Sequence, residues 1–168
     1  MTHNSPVDQD YDLWVLLNQV QSLMMNARDT ELMEYGTTGM QAGVMFIINA
    51  VGEEIIPADI SRWLLRKPAT ISGLLDRMEK AGLIQKARDL PRKNLIRIRL
   101  TEKGKQDYKK SLKRKSIHKT MSCLSEEERQ QLAPILLKLR NSVTKVLRYR
   151  EKGPYPEPTA EPGSKPRK

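Results

Sequence analysis

The chain has 168 residues, 38% hydrophobic and 30% charged, with a formal net charge of +10; that length suffices for one domain with a buried core. One Phe and 5% aromatics leave the core to Leu, Ile, Val and the eight Met, whose flexible side chains pack around irregular gaps. The single Cys123 excludes an internal disulfide and fits a reducing compartment, no apolar run reaches the roughly 18 residues of a membrane span, and Met1 to Asp10 lacks the basic-then-apolar pattern of a secretory signal, so a cytoplasmic location is expected.

Taken in order, Asp8 to about Tyr35 reads as a long helix, with Leu13, Leu16, Leu17, Val20, Leu23 and Met24 at helical spacing and Gly36 as its stop. Thr37 or Thr38 caps a second helix with Met40, Val44, Ile47, Ile48 and Val51 inward, ending at Gly52. Glu53 to Ile56 is short enough to be a small strand. Pro57 sits where proline prefers a helix start, and Ala58 to Leu65 forms a short helix with Ile60, Leu64 and Trp63 inward. Pro68 opens the next helix. Its apolar set of Ile71, Leu74, Leu75 and Met78 follows the i, i+3, i+4, i+7 rule, and Gly82 ends it.

The period then changes to two. Ile96, Ile98 and Leu100 alternate with Arg97 and Arg99, Leu83 to Arg88 is a weaker strand before them, and Asp89 to Asn94 joins the two as a basic hairpin tip. Thr101 caps a fifth helix expected to run to about Leu124, with Tyr108, Leu112, Ile117, Met121 and Leu124 as its sparse stripe. Ser125 and Glu128 can form a capping box for a sixth, whose apolar face is Leu132, Ile135, Leu136, Leu139, Val143, Val146 and Leu147; Pro134 should bend it. Gly153 to Lys168, rich in Pro, Glu and Lys, reads as a disordered tail. The fold class is mainly α with a small β-wing.

Charge is uneven along the chain. Residues 1–59 hold one basic and nine acidic residues, whereas residues 60–119 hold nineteen basic and five acidic. The second segment implies a surface that faces a polyanion. Two short helices followed by a basic hairpin suit B-DNA, whose major groove admits a helix that meets base edges with its N-terminal residues. On the helix from Pro68, burial of the apolar set leaves Ala69, Thr70, Ser72, Gly73, Asp76 and Arg77 outward. Thr70, Ser72 and Arg77 can donate to bases or phosphates, and Gly73 allows close approach of the backbone. Arg66 and Lys67 flank the helix start, where the dipole favours a phosphate. The hairpin adds Arg88, Arg92, Lys93 and Asn94 for the backbone or the minor groove.

The stretch Lys67-Pro68-Ala69-Thr70-Ile71-Ser72-Gly73-Leu74-Leu75-Asp76-Arg77-Met78-Glu79-Lys80-Ala81-Gly82-Leu83-Ile84 resembles the recognition helix of MarR-family (multiple antibiotic resistance) regulators, and Leu100-Thr101-Glu102-Lys103-Gly104 is similar to that family's exit from the wing. The resemblance spans about residues 10 to 150. It implies a winged helix-turn-helix of residues 37–101, dimerisation helices in residues 1–36 and 102–150, and a tail of residues 151–168. It also implies a homodimer on palindromic double-stranded DNA, a ligand-responsive transcriptional regulator and most often a repressor. One departure concerns the wing: where the family usually carries Asp-Arg-Arg, this chain has Arg92, Lys93 and Asn94, with Asp89 as the nearest substitute acid. The resemblance further implies an effector pocket for a small aromatic molecule, for which Trp14, Leu17, Met24, Met45, Phe46 and Trp63 are the candidates; a Met and aromatic stripe at helical spacing equally describes ordinary core.

Two other functions fit the composition. The basic segment alone would serve a sequence-independent nucleoid protein, and a winged helix can dock another protein through its wing. Cys123, with Lys119 one turn earlier, is a candidate redox thiol, which would need a stabilised thiolate. Catalysis is not expected. His3 and His118 are the only histidines, no Cys and His cluster has metal spacing, and no glycine-rich loop follows a strand, so neither an enzyme site nor a cofactor is anticipated.

Overall fold

A computed structural model of the chain describes residues 8–52, 55–88 and 95–147. Helix α1, Gln9–Met33, begins where Asp8 accepts a hydrogen bond from the Tyr11 amide, with Asp10 and Asp12 in its positive first turn. Helix α2, Gly39–Val51, starts at a capping box of Thr38 and Gln41, which settles the choice between the two threonines. Asp29 of α1 also accepts from the Gly39 amide at 2.5 Å and so ties the two helices together. Helix α3, Pro57–Trp63, and helix α4, Pro68–Lys80, each place proline at the first turn, where no amide is needed.

Strands β1, Ile84–Ala87, and β2, Arg97–Leu100, pair antiparallel with Ile84 opposite Leu100 and Lys86 opposite Ile98. Ile55 and Ile56 form no strand, although the Ile98 amide donates to the Ile55 carbonyl at 2.9 Å. The expected strand there reduces to one rung, and Glu53 and Glu54 lie outside the described residues. The tip from Asp89 to Asn94 and the tail beyond Gly153 also lie outside them.

Helices α2 to α4 and the two strands enclose one core. Val44, Met45, Ile47, Ile48, Ile55, Ile60, Ile71, Leu74, Leu75, Met78, Leu83, Ile84 and Ile98 are buried together, with Phe46, Trp63 and Tyr108 packed against them. All four apolar positions read from the α4 periodicity are inside. Val51, expected inward on α2, is exposed.

The expected fifth helix is two helices. Helix α5, Glu102–Ser111, ends one turn before Arg114, which takes a left-handed conformation (φ 51°), and helix α6, Lys115–Met121, follows. The break has a physical cause in Glu31 of α1. Its carboxylate is buried and accepts from the Lys115 and Ser116 amides, each at 2.9 Å, and from the Ser116 hydroxyl at 2.5 Å. Arg28 pairs with Glu31 at 2.8 Å and donates to the Ser111 carbonyl at the end of α5. A carboxylate from another helix thus caps α6 and holds the corner closed. Burial by itself raises the Glu31 carboxyl, but the bonds from Ser116, Lys115 and Arg28 outweigh it and hold its pKa at about 2.

Helix α7, Glu126–Val146, opens with the Ser125 and Glu128 capping box and continues through Pro134. None of its residues is buried. Ile135, Leu136, Leu139, Val143, Val146 and Leu147 are exposed, as are Leu13, Leu16, Leu17, Val20 and Leu23 of α1. Among the described residues no helix is long and apolar enough to cross a membrane.

Candidate nucleic-acid interface

The turn between α3 and α4 aims the second helix. Leu65 takes a left-handed conformation (φ 52°), which lets the Arg66 amide reach the Ser61 carbonyl at 3.0 Å while the buried Ser61 hydroxyl donates to the Arg66 carbonyl at 2.6 Å. This pair of hydrogen bonds across the turn sets the angle at which α4 leaves. At its far end α4 closes with a Schellman motif: the Gly82 amide donates to the Glu79 carbonyl and the Leu83 amide to the Met78 carbonyl, with Gly82 at φ 71°. Lys103 donates to the Ala81 carbonyl at 2.8 Å, a cation at the negative helix end.

Between these fixed ends, Arg66, Lys67, Pro68, Ala69, Thr70, Ser72, Gly73, Asp76 and Arg77 are all exposed, opposite the buried Ile71, Leu74, Leu75 and Met78. The structure therefore brings eight of the candidate contacts onto one uncovered helix face and its leading turn. A Cβ built on Gly73 meets nothing within 4 Å, so the fold itself does not require glycine there. Arg77 makes no ion pair among the described residues. Its neighbours one turn away are Gly73, Leu74, Lys80 and Ala81, none of them an acid, because only residues three or four apart face each other on a helix. Arg88 is exposed just past β1, while Arg92, Lys93 and Asn94 fall outside the described residues.

The wing exit Leu100-Thr101-Glu102-Lys103-Gly104 works as a clamp. The Thr101 hydroxyl accepts from the Gly104 amide at 3.0 Å to cap α5, and donates to the Gly82 carbonyl at 2.6 Å. The Thr101 amide donates to the Leu83 carbonyl at 3.1 Å. Gly104 is buried against the same carbonyl, and any Cβ there would collide with that oxygen. The end of α4, the start of β1 and the start of α5 are thereby fixed to one another.

One feature of this face escaped the sequence reading. Lys86 of β1 pairs with both Asp76 and Glu79 of α4, the latter at 3.1 Å. The period-two phase of the strand, which places Lys86 inward with Ile84, carried that signal. The six effector candidates are not gathered at one surface. Met45 is sealed in the core, Phe46 and Trp63 are half-buried against it, and Met24 is half-buried on α1. Trp14 and Leu17 are exposed on the first turns of α1, where Trp14 stacks on Tyr11 with ring centroids 5.7 Å apart. Cys123 is exposed and donates to the Thr120 carbonyl. No group of His, Cys, Asp and Glu among the described residues could hold a metal ion.

Residues 35–91 match the sequence model of the MarR family. Among solved structures, the chain is similar to the organohalide-sensing transcriptional regulator RdhR. In its ligand-free form the identity is 26% and the TM-score 0.81, over 91% of this chain and 92% of that one. In its 2,4-dichlorophenol-bound form the identity is 28% and the TM-score 0.77, over 84% and 85%. A cysteine-to-serine variant of MarR from E. coli complexed with operator DNA shares the fold at 17% identity and TM-score 0.74, over 81% of this chain and 99% of that one. No curated protein matches the sequence.

Proposed function

We propose that the chain is a winged-helix transcriptional regulator of the MarR family, which acts in the cytoplasm as a homodimeric, ligand-responsive repressor on a palindromic operator. The observation that carries the proposal is the uncovered face of α4, where Thr70, Ser72, Gly73 and Arg77 stand clear of the core on a helix fixed at both ends. Residues 37–101 are the DNA-binding unit. Pro68 to Arg77 enters the major groove, Arg66 and Lys67 meet phosphates at its start, and Arg88 to Asn94 reach the flanking backbone. Residues 1–36 and 102–150 join two copies. The exposed apolar side chains of α1 and α7 support that reading, since contiguous apolar faces on a monomer ordinarily mark an interface. A two-fold dimer then favours half-sites one helical turn apart, roughly 34–36 Å.

Selection from random duplexes tests the reading: a motif with two-fold symmetry should be enriched, and a sequence-independent binder would enrich none. Arg77→Ala should abolish the preference. Lys93→Ala should weaken all duplexes alike and shrink the salt slope by about 1. Equal losses on selected and random DNA for Arg77→Ala would remove its assigned role. For the effector, the similarity to RdhR with bound 2,4-dichlorophenol supports a small aromatic ligand, and Phe46 and Trp63 are the candidates with both ring area and partial access. Calorimetry with phenols and aromatic acids checks it; no heat and no change in DNA affinity would end it.

A further inference from the structure

The recognition helix carries two acids where a polyanion must approach. Ser72, Asp76 and Glu79 lie at i, i+4 and i+7 and so form one stripe, running from the exposed groove-facing residues toward the wing. Asp76 is 56% exposed and Glu79 42%. Left to themselves, two carboxylates on this stripe would repel the phosphates that Arg66, Lys67 and Arg77 attract.

Opposite them stands a lysine in an unusual place. The register sets Lys86 across from Ile98, which is fully buried, and on the same strand face as Ile84. That inward position of a half-buried ribbon normally takes an apolar side chain. Here the lysine stem lies over the core and the ammonium emerges between the two acids. Its side chain is only 22% exposed; Nζ pairs with Asp76 and with Glu79 at 3.1 Å, and its own amide donates to Glu79 at 3.3 Å. The hydrogen bond from Lys86 holds the Asp76 carboxyl below the usual carboxylate range, and the same bond raises the lysine. Two of the three ammonium donors are thereby committed to the acids of the helix and not to a phosphate.

We propose that Lys86 is a positioning residue for DNA recognition, which holds the Asp76 and Glu79 carboxylates off the duplex while fixing the recognition helix to the first wing strand. It contributes no phosphate contact of its own. This rests on the DNA-binding reading above and deepens it, because it adds a residue that acts through others.

The test uses the full chain, a duplex enriched by selection and a random duplex, with affinity followed by fluorescence anisotropy across a salt series and folding followed by thermal melting. Lys86→Met should bind both duplexes about tenfold more weakly, as two unmasked charges near an interface do. The defect should shrink as salt rises, because the repulsion between the unmasked carboxylates and the phosphates is screened; a lost phosphate contact shows the same trend, so the neutral triple variant separates the two. Lys86→Arg should retain affinity. The neutral triple variant Asp76→Asn, Glu79→Gln, Lys86→Met should recover it, because it has nothing left to mask, and it decides the matter even if Lys86→Met folds poorly. Wild-type affinity in Lys86→Met, or a triple variant as weak as Lys86→Met, would overturn the proposal. A wild-type chain that binds neither duplex would instead overturn the DNA-binding reading itself.

Discussion

Two glycines show how differently the same residue can be required. Gly104 is held by the fold, since a Cβ would strike the Leu83 carbonyl oxygen. Gly104→Ala should therefore destabilise the chain by about 1–3 kcal/mol, the usual cost of overpacking, and lower the melting temperature. Gly73 has open space around its missing side chain and sits inside a helix. Gly73→Ala should raise stability by up to about 1 kcal/mol through helix propensity. It should at the same time weaken DNA binding, because the added methyl occupies the space the duplex needs. A melting temperature that rises while affinity falls would separate the interface from the fold at one atom. Unchanged affinity would remove Gly73 from the contact surface.

Among elements, the corner between α5 and α6 depends on a charge from α1. Glu31 has a folded pKa of about 2 against an ordinary 4.5, so its contribution is fully present above pH 4.5 and is lost as pH falls toward 2. On the order of 3 kcal/mol attaches to that shift as an upper figure. Acid unfolding followed by circular dichroism should show stability falling through this window in the wild type. In Glu31→Gln the same window should be flatter and the stability at neutral pH lower. A wild-type curve that stays level from pH 4.5 to 2 would exclude Glu31 as the titrating brace. The sequence predicts one helix from Thr101 to Leu124 because each half has helical composition and neither glycine nor proline separates them. The break arises from a residue about 80 positions away in the chain, which no local pattern can display. Helix α4 was legible in full, from Pro68 to Gly82, because its periodicity, its opening proline and its closing glycine are all local.

For the whole molecule, the exposed apolar faces of α1 and α7 are the surfaces through which the proposed second copy would dock. Leu139→Glu, placed on the α7 face, should shift the chain from dimer to monomer in sedimentation analysis. It should also weaken binding to the two-fold duplex far more than to a half-site, since linked sites bind with high effective concentration. A variant that stays dimeric would move the interface away from α7. Sequence by itself determined the order and type of most elements, the core face of α4 and the basic character of the wing strands, because these follow from periods of 3.6 and 2, from caps and from local charge. Tertiary structure alone decided that Glu31 splits the fifth helix, that Lys86 gathers Asp76 and Glu79, and that Gly104 and Thr101 clamp α4 to α5. Each of these joins residues distant in the chain through a hydrogen bond, an ion pair or a steric limit, and such pairings exist only once the backbone has brought them together.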